Sequence, residues 1–97
     1  MKFQIELRPA AVADLRKTFE WYEARVPGLG EEFLAAVHTK LDQIESNPLQ
    51  FPVVRGITRR AIVRRFPYGI FFVPGEQRIG VLAVMHHSQA PQRWQAR

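Results

Sequence analysis

The stretch from residue 59 to residue 72 reads RRAIVRRFPYGIFF, and it decides the fold that the sequence predicts. Residues 60–66 have the composition and alternation of a β-strand. Pro67-Tyr68-Gly69 interrupts the run, and residues 70–73 predict a second short strand. A turn at 74–77 then leads into residues 79–85, which are apolar on both faces and are therefore typical of a central strand. Three strands with short connections predict an antiparallel meander.

The first half of the chain supplies one more strand. Residues 3–7 alternate apolar and polar side chains, which predicts a strand with one buried face. We expect this strand to add to the central or the last strand of the meander.

Two amphipathic helices follow that first strand. Pro9 suits a first helical turn, and apolar residues then recur at three- and four-residue spacing as far as Pro27-Gly28. A second apolar stripe begins around Gly30 or Glu31 and stops at Asn47-Pro48. The two predicted stripes are Val12, Leu15, Phe19, Tyr22 and Val26, then Phe33, Leu34, Val37, Leu41 and Ile44. Helices joined by so few residues fold back on each other, so residues 10–47 predict an antiparallel helical hairpin.

The predicted fold class is α+β, with residues 1–97 as one domain in the order β-α-α-β-β-β. The helical hairpin covers a small, mostly antiparallel sheet, and residues 91–97 predict a short C-terminal helical turn. With 97 residues and 46% apolar content, the chain can build one core.

Charge is distributed unevenly along the chain. Residues 1–52 carry six basic and eight acidic side chains, whereas residues 53–97 carry eight arginines and one glutamate. The planar guanidinium of arginine suits bidentate contact with phosphate or carboxylate. The second half therefore predicts an anionic partner, either a nucleic acid or an acidic protein surface.

Composition also argues against several classes of protein. The chain has no cysteine, so neither a disulfide framework nor a thiolate metal site is expected. No apolar run approaches the roughly 20 residues needed to cross a bilayer, and the N-terminus does not have the pattern of a signal peptide. We therefore expect a cytoplasmic protein without membrane contact, metal or cofactor.

Several strings along the whole chain resemble the RelE/ParE toxin superfamily of type II toxin-antitoxin systems. Residues 3–15 are similar to the family's opening strand and Ala-x-x-Asp-Leu helix start, and an aromatic pair follows within that helix. Residues 44–52 resemble the Ile-x-x-x-Pro-x-x-(Phe/Gly)-Pro passage into the sheet. The string at 59–72 resembles Arg-Arg-Phe-Pro-Tyr-x-Ile-x-Tyr, and Pro91-x-x-Trp94-x-x-Arg97 resembles the family's ending. The order and spacing of these strings carry the resemblance.

Departures from the pattern favour one branch of the superfamily. Gln89-Ala90 stands where members commonly have Arg-Asp, and residues 53–97 contain no lysine and a single tyrosine, Tyr68. The ribonuclease branch typically uses lysines from mid-chain with C-terminal Arg and Tyr. The resemblance therefore favours the ParE-like branch, which includes plasmid stabilisation proteins and some members that poison DNA gyrase.

The candidate binding residues are mostly arginines. Those that flank the 60–66 strand form either a basic edge facing phosphate or antitoxin, or a solvated edge that resists aggregation. Alternation places Arg64 and Arg65 on opposite faces, so that at most one enters a given groove. Trp21 lies off the stripe of its helix and is either an exposed partner contact or covered in part by the second helix. The full binding set is Arg59, Arg60, Arg64, Arg65, Arg78, Arg93, Arg97 and Trp21.

Catalytic candidates exist only if the protein is a nuclease. They are Arg65, Tyr68 and His86. For Tyr68 the alternatives are proton donation or packing on the core, and for His86 they are proton exchange or a backbone hydrogen bond.

Three functional hypotheses result. The first is a toxin that binds DNA gyrase and is neutralised by a cognate antitoxin, in a toxin-antitoxin hetero-oligomer. The second is a ribosome-dependent mRNA endoribonuclease. The third is a degenerate, non-toxic module that only binds an antitoxin.

Overall fold

The computed structural model describes residues 3–88 of the chain. Two helices pack on one face of a five-stranded sheet, with one further short 3-10 turn at Pro48–Gln50. The elements are β1 (Gln4–Leu7), α1 (Pro9–Arg25), α2 (Leu29–Ser46), β2 (Val53–Arg55), β3 (Thr58–Ile62), β4 (Tyr68–Pro74) and β5 (Arg78–His86).

The strand order is β1-β5-β4-β3-β2. β3, β4 and β5 form the predicted antiparallel meander, and β1 joins its last strand in parallel. These features confirm the predicted α+β class and the position of the first strand. β4 is the middle strand, with β5 between β4 and β1.

One strand was not predicted. β2 pairs antiparallel with β3 across the two-residue turn Gly56-Ile57, in a stretch that the sequence indicated as a connection. Gly56 has a φ of +55°, which glycine adopts at little steric cost. β2 lies at the edge of the sheet opposite to β1.

The helical hairpin is confirmed, although the buried face of α1 differs from the prediction. Ala11 and Thr18 are buried, whereas Val12 and Val26 remain 39% and 53% exposed. The buried positions of α1 therefore include two small residues, whereas two of the five predicted apolar residues stay exposed. In α2, Phe33, Val37 and Ile44 are buried as predicted.

Contact between the two helices is close near the start of α2. A Cβ on Gly30 would lie 2.7 Å from the backbone oxygen of Phe19. The carboxylate of Glu23 accepts hydrogen bonds from the N–H groups of Gly28 at 2.8 Å and Gly30 at 2.9 Å. It thereby satisfies two donors at the N-terminal end of α2 that have no partner within the helix.

The main core lies between the helices and the sheet. Its largest fully buried side chains include Phe33, Phe72, Ile44, Ile70 and Ile79. The register of β4 and β5 shifts between Phe71 and Phe72, which places Leu82 outside the pairing. A second cluster of Phe71, Ala83 and Met85, with Leu82 beside it, is separate from the main core, because alternate residues of a strand point to opposite faces of the sheet.

Candidate functional site

Arg64 and Arg65 lie on the same groove, and the prediction that they point to opposite faces is wrong. That prediction extended strand alternation to residue 66, but β3 ends at Ile62 and the two arginines lie in the turn that follows. Both line a groove of about 380 Å³ between this turn and α2. Strand periodicity does not apply in a turn, which is why alternation failed here.

We call this feature the α2 groove. Its lining includes small residues of α2 and, around them, charged and amide side chains; the full set is Glu32, Ala35, Ala36, Thr39, Lys40, Gln43, Arg64 and Arg65. Of these residues, the sequence pointed only to the two arginines as candidate binding residues. The α2 residues occur at three- and four-residue spacing, which is the one signal in the sequence that they share a face.

Arg65 has an unusual backbone conformation for a residue of its type. Its φ is +69°, which makes it the one non-glycine residue with positive φ within residues 3–88. Its guanidinium lies 3.4 Å from the carboxylate of Glu32, and both side chains are largely exposed. A long side chain held in the left-handed region is a local strain of the kind that concentrates at functional sites.

Tyr68 and His86 come together, as expected for neighbouring strands. They are directly opposed in the β4–β5 ladder, and their rings meet edge to face at 5.2 Å. Nδ1 of His86 accepts a hydrogen bond of 3.0 Å from the backbone N–H of Ser88. In a neutral ring the proton is then on Nε2, which makes that nitrogen a hydrogen-bond donor.

The Tyr68 ring also belongs to the aromatic part of the main core. It meets Phe33 at 5.3 Å and Tyr22 at 6.2 Å, both edge to face. Burial raises the pKa of the Tyr22 hydroxyl above its usual value, and the neighbouring Tyr68 raises it further. The Tyr68 ring therefore packs on the core, which was one of the two alternatives for this residue. Proton donation by its hydroxyl remains a prediction.

Arg59 and Arg60 have structural contacts. The Arg59 guanidinium donates hydrogen bonds to the backbone oxygens of Phe51 at 2.6 Å and Leu49 at 3.4 Å, which fastens the segment before β2 to β3. The stem of Arg60 lies across Gly69, where a Cβ would come within 3.2 Å of it. Both arginines are half-buried.

Arg78 lies at the far end of the sheet from β2. It donates to the carboxylate of Glu6 on β1 at 3.0 Å, with both side chains exposed. A pocket lined by Glu6 and Arg8, among others, adjoins this pair. The predicted basic residues therefore do not form one surface.

Trp21 is half exposed on α1. The Arg25 guanidinium stacks over it at 3.6 Å, and its edge meets Tyr22 at 5.1 Å. A half-exposed tryptophan with a stacked arginine is the composition of many protein interfaces. Arg93 and Arg97 lie outside the described residues, as does the predicted C-terminal turn.

Between Phe3 and Ser88 no three His, Asp or Glu side chains come together as a possible metal site. Neither helix in that range is long and apolar enough to cross a membrane.

Comparison with known proteins identifies the family. A family model described as the ParE toxin of the type II toxin-antitoxin system parDE matches residues 5–91. No curated protein sequence matches the chain.

Two solved structures share the fold. One is of the chromosomal ParDE toxin-antitoxin system of P. aeruginosa; it has a TM-score of 0.77 at 16% identity and covers 88% of this chain and 96% of that one. The other is of the RelBE2 toxin-antitoxin complex of Mycobacterium tuberculosis; it has a TM-score of 0.58 at 20% identity and covers 89% and 99%. With the family model matching nearly the whole chain, the conclusion is that this protein belongs to the ParE toxin family of type II toxin-antitoxin systems.

Proposed function

We propose that this ParE-type toxin arrests growth by binding DNA gyrase in the cytoplasm, and that a small cognate antitoxin holds it inactive. The observation that carries the proposal is the family match over residues 5–91, together with a second half of the chain that contains no lysine. A gyrase poison needs a binding surface and no chemistry of its own.

The contacts of the candidate arginines support binding over catalysis. Arg59 is bound to backbone carbonyls, Arg65 to Glu32 and Arg78 to Glu6. Phosphoryl chemistry needs cations converging on one phosphate, with a positioned acid and base beside it. These three arginines are instead spread from the β2 side of the sheet to the β1 edge.

For the antitoxin we propose a disordered, acidic and amphipathic C-terminal segment that orders on the toxin. Such a segment would lie against the helical hairpin and the basic side of the sheet. The half-exposed Trp21–Arg25 pair and the cations of the α2 groove are available to it.

One observation favours ribosome-dependent mRNA cleavage as a second candidate. The contact between Tyr68 and His86 brings two groups that can transfer protons to one place. In that mechanism arginines would stabilise the scissile phosphate while one of these groups moves a proton, so that a ribose 2′-OH can attack.

Induced expression of the toxin alone tests toxicity first. Growth arrest is expected, and normal growth would instead support a non-toxic antitoxin-binding module. Gyrase supercoiling and cleavage-complex assays, set beside primer extension on translated mRNA, then identify the target. We expect stabilised gyrase–DNA cleavage complexes and no new mRNA ends; the reverse result favours the nuclease. Intact toxicity of both Arg65→Ala and Tyr68→Phe would show that neither residue belongs to the toxic site.

A further inference from the structure

We infer that the α2 groove is the docking site for an acidic amphipathic helix of the antitoxin, with Arg65 as its anchoring cation. The inference rests on the proposed toxin-antitoxin function. It adds to that function a particular surface and the conformation of the segment that occupies it.

The shape of the groove fits a helix. Its α2 side runs from Glu32 to Gln43, a length of about 16 Å at 1.5 Å per residue, or three helical turns. Ala35, Ala36 and Thr39 form the α2 wall, and such small side chains allow a second helix to approach closely. The exposed surface of the groove is mainly apolar, so the occupant must present an apolar stripe.

Its position excludes strand addition at this place. An added strand needs a sheet edge with unpaired backbone groups. The α2 groove lies between a helix, whose backbone is bonded internally, and a turn, whereas the strands at the sheet edges are β1 and β2. Side chains, and not the main chain, must therefore hold the occupant.

The charges of the groove specify the polar face of the occupant. Lys40, Arg64 and Arg65 line it against the single carboxylate of Glu32. Carboxylates flanking the apolar stripe of an incoming helix would meet these three cations. Nucleic acid also carries anions, but it offers no apolar stripe to cover the alanine wall.

Glu32 and Arg65 show how the anchor works. In the free toxin, Glu32 holds the Arg65 guanidinium at 3.4 Å in an exposed pair, which contributes little stability. A carboxylate of the antitoxin can join or replace Glu32 at small cost, because solvent still reaches the pair. Arg65 has a left-handed backbone in the turn after β3, and its side chain reaches Glu32 on α2.

Binding of the antitoxin encoded beside the toxin gene, measured with purified proteins, tests the inference. Ala35 is exposed, so Ala35→Trp fills the groove without entering the core, and we expect it to weaken binding about 100-fold. Arg65→Asn, which tolerates the left-handed backbone, should weaken binding about tenfold. The matched controls are Ala13→Trp on α1 and Arg55→Asn on β2, both exposed, and they should bind like the unmodified toxin.

A chemical footprint gives a second readout that does not depend on affinity. Because the chain has no cysteine, Thr39→Cys introduces a single thiol in the groove, and Ile57→Cys introduces one in the exposed β2–β3 turn. The antitoxin should slow alkylation of the first at least tenfold and leave the second unchanged.

The outcomes separate the inference from the proposed function. If the unmodified toxin is neutralised, and Ala35→Trp is neutralised and bound within threefold of it, the groove is not the docking site although the toxin-antitoxin function stands. If single-stranded RNA protects the Thr39→Cys thiol and the antitoxin does not, the groove binds nucleic acid and the inference is overturned. If the unmodified toxin neither arrests growth nor binds the antitoxin, the proposed function fails first.

Discussion

The carboxylate of Asp14 on α1 accepts a hydrogen bond of 2.9 Å from the backbone N–H of Val84 on β5. β1 runs parallel to β5 only as far as Leu7 opposite Val81, and the last bond between the segments is from Arg8 N–H to the Val81 oxygen. Beyond that point Asp14 provides an acceptor that a longer β1 would otherwise supply. One side chain thus joins the hairpin to the sheet.

Asp14→Ala should therefore lower the free energy of unfolding by about 1–2 kcal/mol, because the Val84 N–H loses this acceptor in a partly buried place. Asp14→Asn keeps an acceptor oxygen and should lose less than half of that. Urea unfolding of the three proteins measures both values. Equal stability of the alanine variant and the unmodified protein would contradict this role.

The sequence predicted the two helices of this hairpin better than it predicted which of their residues are buried. Three- and four-residue spacing located both helices within one or two residues of their ends, because amphipathic period depends on local geometry alone. It could not show that Ala11 and Thr18 are buried while Val12 and Val26 stay exposed. The shape of the surface that a helix packs against decides which residues of a wide apolar stripe become buried.

The sheet shows the same division between local and non-local information. The apolar runs predicted β3, β4 and β5, but the three-residue β2 lies between Pro52 and Gly56 and is too short for a periodic signal. The bulge at Leu82 lies inside a run that is apolar at every position but one, so the sequence carries no mark of the shift. The sequence also carries no mark of the end of β3 at Ile62, so it could not show that Arg64 and Arg65 line one groove.

Gly30→Ala should destabilise the hairpin by about 1–3 kcal/mol. Helix propensity alone predicts that the variant gains up to about 1 kcal/mol of stability. The sign of the stability change therefore shows whether the steric contact or the propensity dominates. The added Cβ would meet the backbone oxygen of Phe19, which cannot rotate away as a side-chain end could, so the helices must separate. Thermal unfolding measures the sign, and a higher melting temperature would show that the helices adjust without cost.

Glu23→Ala should lower stability by about 1–2 kcal/mol, since its carboxylate bonds two N–H groups at the start of α2. Glu23→Gln keeps one acceptor oxygen, so its stability should lie between those of the unmodified protein and Glu23→Ala. Glu20→Ala, an exposed position on the same helix, is the matched control and should change stability by less than about 0.5 kcal/mol. Urea midpoints at a common pH give the comparison, and equal losses at positions 20 and 23 would argue against the cap.

Stability should decrease in alkali partly through Tyr22. Its pKa is raised in the folded protein, by burial first and by Tyr68 second, so the folded state holds this proton more tightly than the unfolded chain. The resulting stabilisation is complete below the unfolded pKa of about 10 and is lost as pH rises through the folded pKa. Tyr22→Phe should therefore give a shallower fall in unfolding free energy above about pH 9.5. Identical slopes for the two proteins would mean that Tyr22 contributes nothing to this fall.

Arg65→Asn should leave the free energy of unfolding within about 0.5 kcal/mol of the unmodified protein. Asparagine accepts the φ of +69° more readily than arginine, and the exposed pair with Glu32 is worth little. Arg65→Val keeps no charge either, but its branched Cβ is strained in the left-handed region and should cost about 1–2 kcal/mol. Chemical denaturation of the two variants separates the backbone from the charge. If Arg65→Val is as stable as Arg65→Asn, the turn rearranges freely, and the backbone does not hold Arg65 toward α2. If the two variants differ as expected, weaker antitoxin binding by Arg65→Asn reports the loss of the cation alone.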